Sequence, residues 1–146
     1  MRLWHYELLP YLPDSQFKGQ LREIVAIMHD WRDKGKTNHL LINRVMDFSK
    51  RELSDYFYEY IWQYEKRYGK FPKSETIKEF WAFKYPSVET PEVLFKDWHN
   101  KEYLRVCMAN LCEKHIFGVG RSRITDEEWA RLIDGYELIT GEPYVI

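Results

Sequence analysis

Residues 14–27 read DSQFKGQLREIVAI. Phe17, Leu21 and Ile24, followed by Met28, recur with the 3.6-residue period of a helix that turns one apolar face inward. Asp14 or Ser15 is the residue type that caps such a helix. The stripe places Glu23 to one side of the apolar face, next to Arg22. On spacing alone that pair is a solvated ion pair worth well under ~1 kcal/mol.

The same period carries the fold class through the rest of the chain. Upstream, LWHYELLPYLP (3–13) is irregular, broken by Pro10 and Pro13. Downstream, DKGKTN (33–38) is a polar loop, and a second helix is expected from about His39 to Phe48, with Leu40, Leu41, Val45 and Phe48 inward. LSDYFYEYIWQYEKRY (53–68) forms an aromatic helix stopped by Gly69. Ser74 opens a short helix through Phe83, closed by Tyr85-Pro86. Thr90-Pro91 reads as an N-cap with proline in the first helical position, and the helical pattern after it breaks near Asn100 and runs on to about His115. FGVGRSR (117–123) is a glycine loop. Thr125 and Glu128 form a capping box for a last helix to about Ile139, with Gly141 after it. No stretch alternates with period two between turn residues. The expectation is an all-α, compact single domain over 1–146, with the N-terminal segment packed into the helices.

Composition narrows the function classes. Aromatics make up 17% of the 146 residues, with six Trp, eleven Tyr and eight Phe, enough for a core and for flat surface besides. The net charge is −1, which excludes a polycation. Residues 1–51 hold nine Lys/Arg against six Asp/Glu, whereas 124–146 hold one against six. The N-terminal third is therefore the face for an anionic partner. Cys107 and Cys112 project about 140° apart on a helix and form neither a local disulfide nor a zinc pattern. With no apolar run of membrane length and no signal peptide, a cytoplasmic location is expected.

Few motifs carry chemistry on their own. Gly118-Val119-Gly120-Arg121 lacks phosphate-loop spacing and reads as a connector, although Arg121 and Arg123 remain placed to touch a phosphate backbone. The histidines at 5, 29, 39, 99 and 115 show no metal-binding pattern. Tyr56, Tyr60 and Tyr64, at helical spacing, read as core in preference to a base-stacking face.

The start of the chain says more. MRLWHYELLPYLP followed by DSQFKGQLRE resembles the opening of the pyrimidine-dimer DNA glycosylase (endonuclease V-type) family. That pattern is a first residue, Arg and an apolar residue, then a helix with Asp-x-x-(apolar)-x4-Arg-Glu. Here the matching positions are Met1, Arg2, Leu3, Asp14, Phe17, Arg22 and Glu23. GKTNH (35–39), with Asn38 and His39, is similar to bacterial members, and the likeness covers roughly residues 1–45. Gln16 stands where the pattern has a histidine, Ala26 where it has a second arginine, and the C-terminus is acidic.

The resemblance implies a metal-independent, cofactor-free, monomeric enzyme on damaged double-stranded DNA. Its N-terminal α-amine attacks the sugar C1′, a Schiff base forms, the base leaves and β-elimination cuts the strand. Met1 would carry the amine and Glu23 the acid/base role. Arg2 and Arg22 would bind phosphate, with Gln16, Lys36, Asn38 and His39 as further DNA contacts. An α-amine titrates near ~8, and the charges of Arg2 and Arg22 favour its neutral form while Glu23 opposes this. Leu3 and Trp4 would anchor the terminus in the core. The alternative is a non-catalytic helical module on the same scaffold, binding nucleic acid or a protein.

Overall fold

The computed structural model describes residues 2–40, 42–84 and 93–145. Those residues form an all-α fold. Its helices are α1 (Asp14–Lys34), α2 (Lys50–Tyr68), α3 (Ser74–Phe83), α4 (Lys101–Phe117) and α5 (Asp126–Thr140), joined by 3₁₀ segments at Tyr6–Tyr11, Ile42–Asp47 and Gly120–Ser122. By its own contacts the chain divides into two units, Met1–Leu3 with Gln20–Lys96 and Trp4–Gly19 with Asp97–Ile146. No helix among the described residues is long and apolar enough to cross a membrane.

The first unit is built on the C-terminal part of α1 and on α2 and α3. Its apolar face on α1 is Ile24, Ile27 and Met28, all fully buried, with Gln20 buried ahead of them. Of the expected stripe, Phe17, Ile24 and Met28 are fully buried and Leu21 is half-buried, with Gln20 and Ile27 completing the inward face. α2 begins with a capping box, Ser49 accepting from the Glu52 N–H and Glu52 from the Ser49 N–H, and ends on Gly69 in the left-handed region. Such caps satisfy backbone groups that a helix end leaves open, at roughly 1 kcal/mol each. Phe57 of α2 stacks on Phe80 of α3 with ring centroids 4.0 Å apart, and Ser54 Oγ donates to the Phe80 carbonyl. Tyr56 and Tyr60 are fully buried, which settles them as core.

Three expectations for the described residues need correction. α1 runs to Lys34, so the polar loop starts at Gly35, and its first turn includes Asp14 and Ser15 where one of them was expected to cap from outside. The second helix is a short 3₁₀ segment, Ile42–Asp47, with Ile42 and Val45 buried. Leu40 is 88% exposed, and Thr37 and Asn43 on either side of it are held by polar hydrogen bonds to each other. The helical pattern after Pro91 does not give a helix over 93–100: Phe95 and Asp97 have φ of 52° and 70°, which a right-handed helix cannot accommodate. The expected helix stop at Tyr85-Pro86, the cap at Thr90-Pro91 and the inward Leu41 lie outside the described residues.

The second unit gathers the Tyr6–Tyr11 segment, the first turns of α1, α4 and α5. Trp4, Leu8, Leu9, Leu12 and Phe17 are buried with Leu104, Met108, Leu111 and Leu132. Burying side chains of this size contributes about 1.5–3 kcal/mol each relative to exposure. His5 caps the first 3₁₀ segment, accepting the Glu7 N–H on Nδ1 at 3.1 Å, and stacks on His99. Asn100 caps α4. The Thr125–Glu128 capping box opens α5 and Gly141, in the left-handed region, closes it. Cys107 and Cys112 are thiols on α4.

Candidate active site

Within the first unit the start of the chain meets the middle of α1. Arg2 donates its backbone N–H to Glu23 Oε2 at 3.0 Å, and its carbonyl accepts from Gln20 Nε2 at 2.8 Å. Both backbone polar groups of one residue are therefore held by one turn of helix, since positions three apart share a face. Gln20 Nε2 also lies 3.5 Å from Glu23 Oε2. The orientation of the Gln20 amide is set from α2, where the Tyr56 hydroxyl donates to Gln20 Oε1 at 3.2 Å. Gln20 and Tyr56 are both fully buried, so this chain of hydrogen bonds works at low dielectric, where each bond is strong and each omission costly.

Electrostatics mark Glu23. Burial raises its carboxyl above the ordinary glutamate value, against the lowering effects of the positive chain terminus, the Arg2 N–H and the Arg2 and Arg22 charges. A carboxyl raised by desolvation holds its proton more firmly than a solvated glutamate, which suits a group that is to donate one. The surface ion-pair reading of Arg22-Glu23 fails here, because Glu23 accepts backbone and amide N–H groups at the chain start.

The other expected site residues are distributed as follows. Met1 lies outside the described residues. Arg2 is half-buried and Arg22 is exposed one residue before Glu23. Lys36, Asn38 and His39 are exposed on the turn that follows α1, whose last residue is about 16 Å from Glu23 along the helix axis at 1.5 Å per residue. That turn is a closed polar loop: Asn43 Oδ1 accepts the Thr37 N–H at 2.7 Å, Asn43 Nδ2 donates to the Thr37 carbonyl at 3.2 Å, and Thr37 Oγ1 accepts the His39 N–H at 3.0 Å. Gln16 belongs to the second unit, is 8% exposed, and donates to the Ser122 carbonyl at 3.0 Å.

Sequence reasoning missed Gln20, Tyr56, Thr37 and Asn43. One signal was present for Gln20: a lone amide three residues after Phe17 and four before Ile24 sits on the apolar stripe, where a polar group needs a partner. Among the described residues no group of three or more His, Cys, Asp or Glu is placed to hold a metal ion.

The family model described as pyrimidine dimer DNA glycosylase matches residues 1–75, just over half of the chain and the whole of the Arg2–Gln20–Glu23–Tyr56 cluster. Neither the curated proteins nor the solved structures contain a match. The chain belongs to the pyrimidine dimer DNA glycosylase family.

Proposed function

We propose that this protein excises cyclobutane pyrimidine dimers, or a related lesion, from double-stranded DNA as a monomer and then cuts the strand through its own N-terminal amine. The observation that carries this reading is the 3.0 Å hydrogen bond from the Arg2 N–H to Glu23. The Met1 α-amine is three covalent bonds from that nitrogen, so a carboxyl fixed on residue 2 is tethered close to the nucleophile.

The steps follow from amine chemistry. The neutral amine attacks C1′ of the lesion's sugar, the glycosidic bond breaks and the base leaves with its bonding electrons and a proton. Loss of a proton from nitrogen and opening of the sugar ring at the C1′–O4′ bond produce the Schiff base. Glu23 hands its proton to O4′ as the ring opens, the proton lost from nitrogen goes to the departing base, and the Glu23 carboxylate so formed takes the C2′ proton. Abstraction of a C2′ proton then expels the 3′ phosphate by β-elimination. A carboxyl raised by burial suits both directions of transfer. Arg2 and Arg22 bind the phosphates that flank the sugar, and Lys36, Asn38 and His39 reach phosphates further along the strand. The 16 Å along α1 corresponds to about five nucleotides at 3.4 Å each.

Borohydride trapping of untagged protein on duplexes with an abasic site or a cis-syn thymine dimer tests the reading. The expected result is a covalent adduct on both, mapping to Met1, with strand cleavage lowered about 100-fold or more in Glu23→Gln. Absence of an adduct on either duplex, from folded protein with an unblocked amine, overturns it. A dimer that does not trap while the abasic site does overturns the lesion assignment alone.

A further inference from the structure

The last turn of α4 and the loop that follows it present exposed apolar and cationic side chains. Ile116, Phe117 and Val119 are 60%, 78% and 79% exposed. Arg121 and Arg123 are exposed beside them. Contiguous exposed apolar groups mark interaction surfaces, and residues 115–125 contain no Asp or Glu.

The loop is also built to one shape. Its entry is closed by the Gly118 N–H to the Lys114 carbonyl at 3.1 Å, and its exit by the Ile124 N–H to the same carbonyl at 3.3 Å. A Cβ on Gly118 would stand 2.1 Å from that carbonyl oxygen, and Gly120 has φ of +61°, so both glycines are structural. Ser122 Oγ donates to the Val119 carbonyl at 3.0 Å. From beneath, buried Gln16 donates to the Ser122 carbonyl. Of the carboxylates just beyond the loop, Asp126 is 2.8 Å from His115 Nε2 and Glu128 accepts the Thr125 N–H.

Resting on the DNA-glycosylase reading above, we propose that the Phe117–Arg123 loop is a second DNA-binding element, in which Phe117 and Val119 wedge against base steps while Arg121 and Arg123 grip the flanking phosphates. A duplex meets both requirements at once: it supplies phosphates for the guanidinium groups and base steps that take apolar wedges. Rigid presentation lowers the ordering cost of binding. Gln16 then acts as a positioning residue, holding the loop from below.

Fluorescence anisotropy on undamaged and abasic duplexes across a KCl series tests this with the full chain. The substituted side chains are exposed, so Arg121→Gln/Arg123→Gln and Phe117→Ser/Val119→Ser keep the wild-type circular dichroism. The arginine pair is expected to reduce the slope of log affinity against log salt by about 2. The apolar pair is expected to leave the slope unchanged, weaken binding about tenfold and abolish the fluorescence rise of 2-aminopurine placed at the contacted step. Wild-type affinity and slope in both variants overturn the proposal while the glycosylase reading stands. A wild-type protein that binds no duplex overturns both. A wild type that self-associates in sedimentation, with a monomeric Phe117→Ser/Val119→Ser variant, makes the loop an interface between copies and also overturns it.

Discussion

At residue 2 the N–H and the carbonyl are each bound by a side chain of α1, and one of those side chains is oriented by a hydroxyl on α2. Tyr56→Phe removes that hydroxyl and nothing else. The buried Gln20 amide then loses its orienting donor, and stability should fall by about 1–2 kcal/mol. The rate of borohydride trapping at saturating DNA should fall several-fold with duplex affinity unchanged; an unaltered trapping rate refutes the positioning role. A second residue-scale consequence concerns pH. His5 is buried, and burial lowers its pKa from 6.5 to about 4 against backbone hydrogen bonds at His99 and Asn100 that raise it. Its Nδ1 accepts the Glu7 N–H, so a proton there meets another donor. The neutral imidazole is the folded form: its contribution, about 3 kcal/mol at most by linkage, is complete above pH 6.5 and lost as pH falls through 4. His5→Asn keeps a capping acceptor without the titration, so its melting midpoint should drop less than the wild type's between pH 6.5 and 4. Parallel curves would refute this. Glu23 was singled out only through the family pattern that pairs it with Arg22, since spacing alone reads the two as a solvated ion pair. Gln20 and Tyr56 were not legible as site residues, since their roles come from partners distant in sequence.

Among the elements, helix ends were the most legible part of the fold. Ser74–Phe83 matches its expected bounds, and Gly69, Gly141 and the Thr125–Glu128 box stand where their cap chemistry placed them. Local signals suffice there because caps bond to their own first or last turn. The segment over 93–100 was misread because its helical spacing is real while its backbone is bent at Phe95 and Asp97, and of these only the aspartate is a residue type that favours a positive φ. Gly135, inside α5, shows the opposite case of a glycine with a packing purpose. A Cβ there would lie 2.4 Å from Tyr11 Cγ and 2.6–2.8 Å from its two δ carbons. These atoms are the root of the ring and do not swing aside without moving the 3₁₀ segment, which Arg131 of α5 also binds at the Pro10 carbonyl. Gly135→Ala gains about 1 kcal/mol of helix propensity and meets an overpacking cost of about 1–3 kcal/mol. The expected result is a net loss in thermal or urea unfolding, and a gain from the same change in a Tyr11→Ser background. A stabilised single variant would show that the two elements are not in this close contact.

Over the whole molecule, charge decides what kind of DNA binding is open to this chain. A net charge of −1, with six acidic residues and one arginine in 124–146, offers no general attraction to a polyanion. Affinity must come from local cations, each releasing counterions when it meets a phosphate. The proposed contacts are Arg2, Arg22 and Lys36 in one unit and Arg121 and Arg123 in the other. Five such contacts give a slope of log affinity against log salt of about −4.5, so that raising KCl from about 50 to about 200 mM weakens binding about 500-fold. A protein with a broad basic face, making more phosphate contacts, would show a steeper slope. A slope near −2 would leave only the Arg121–Arg123 loop or part of the Arg2–Arg22 cluster on phosphate, and the single variants Arg22→Gln and Arg121→Gln would then separate them. Each should remove about 0.9 from the slope if its side chain meets a phosphate, and nothing if it does not.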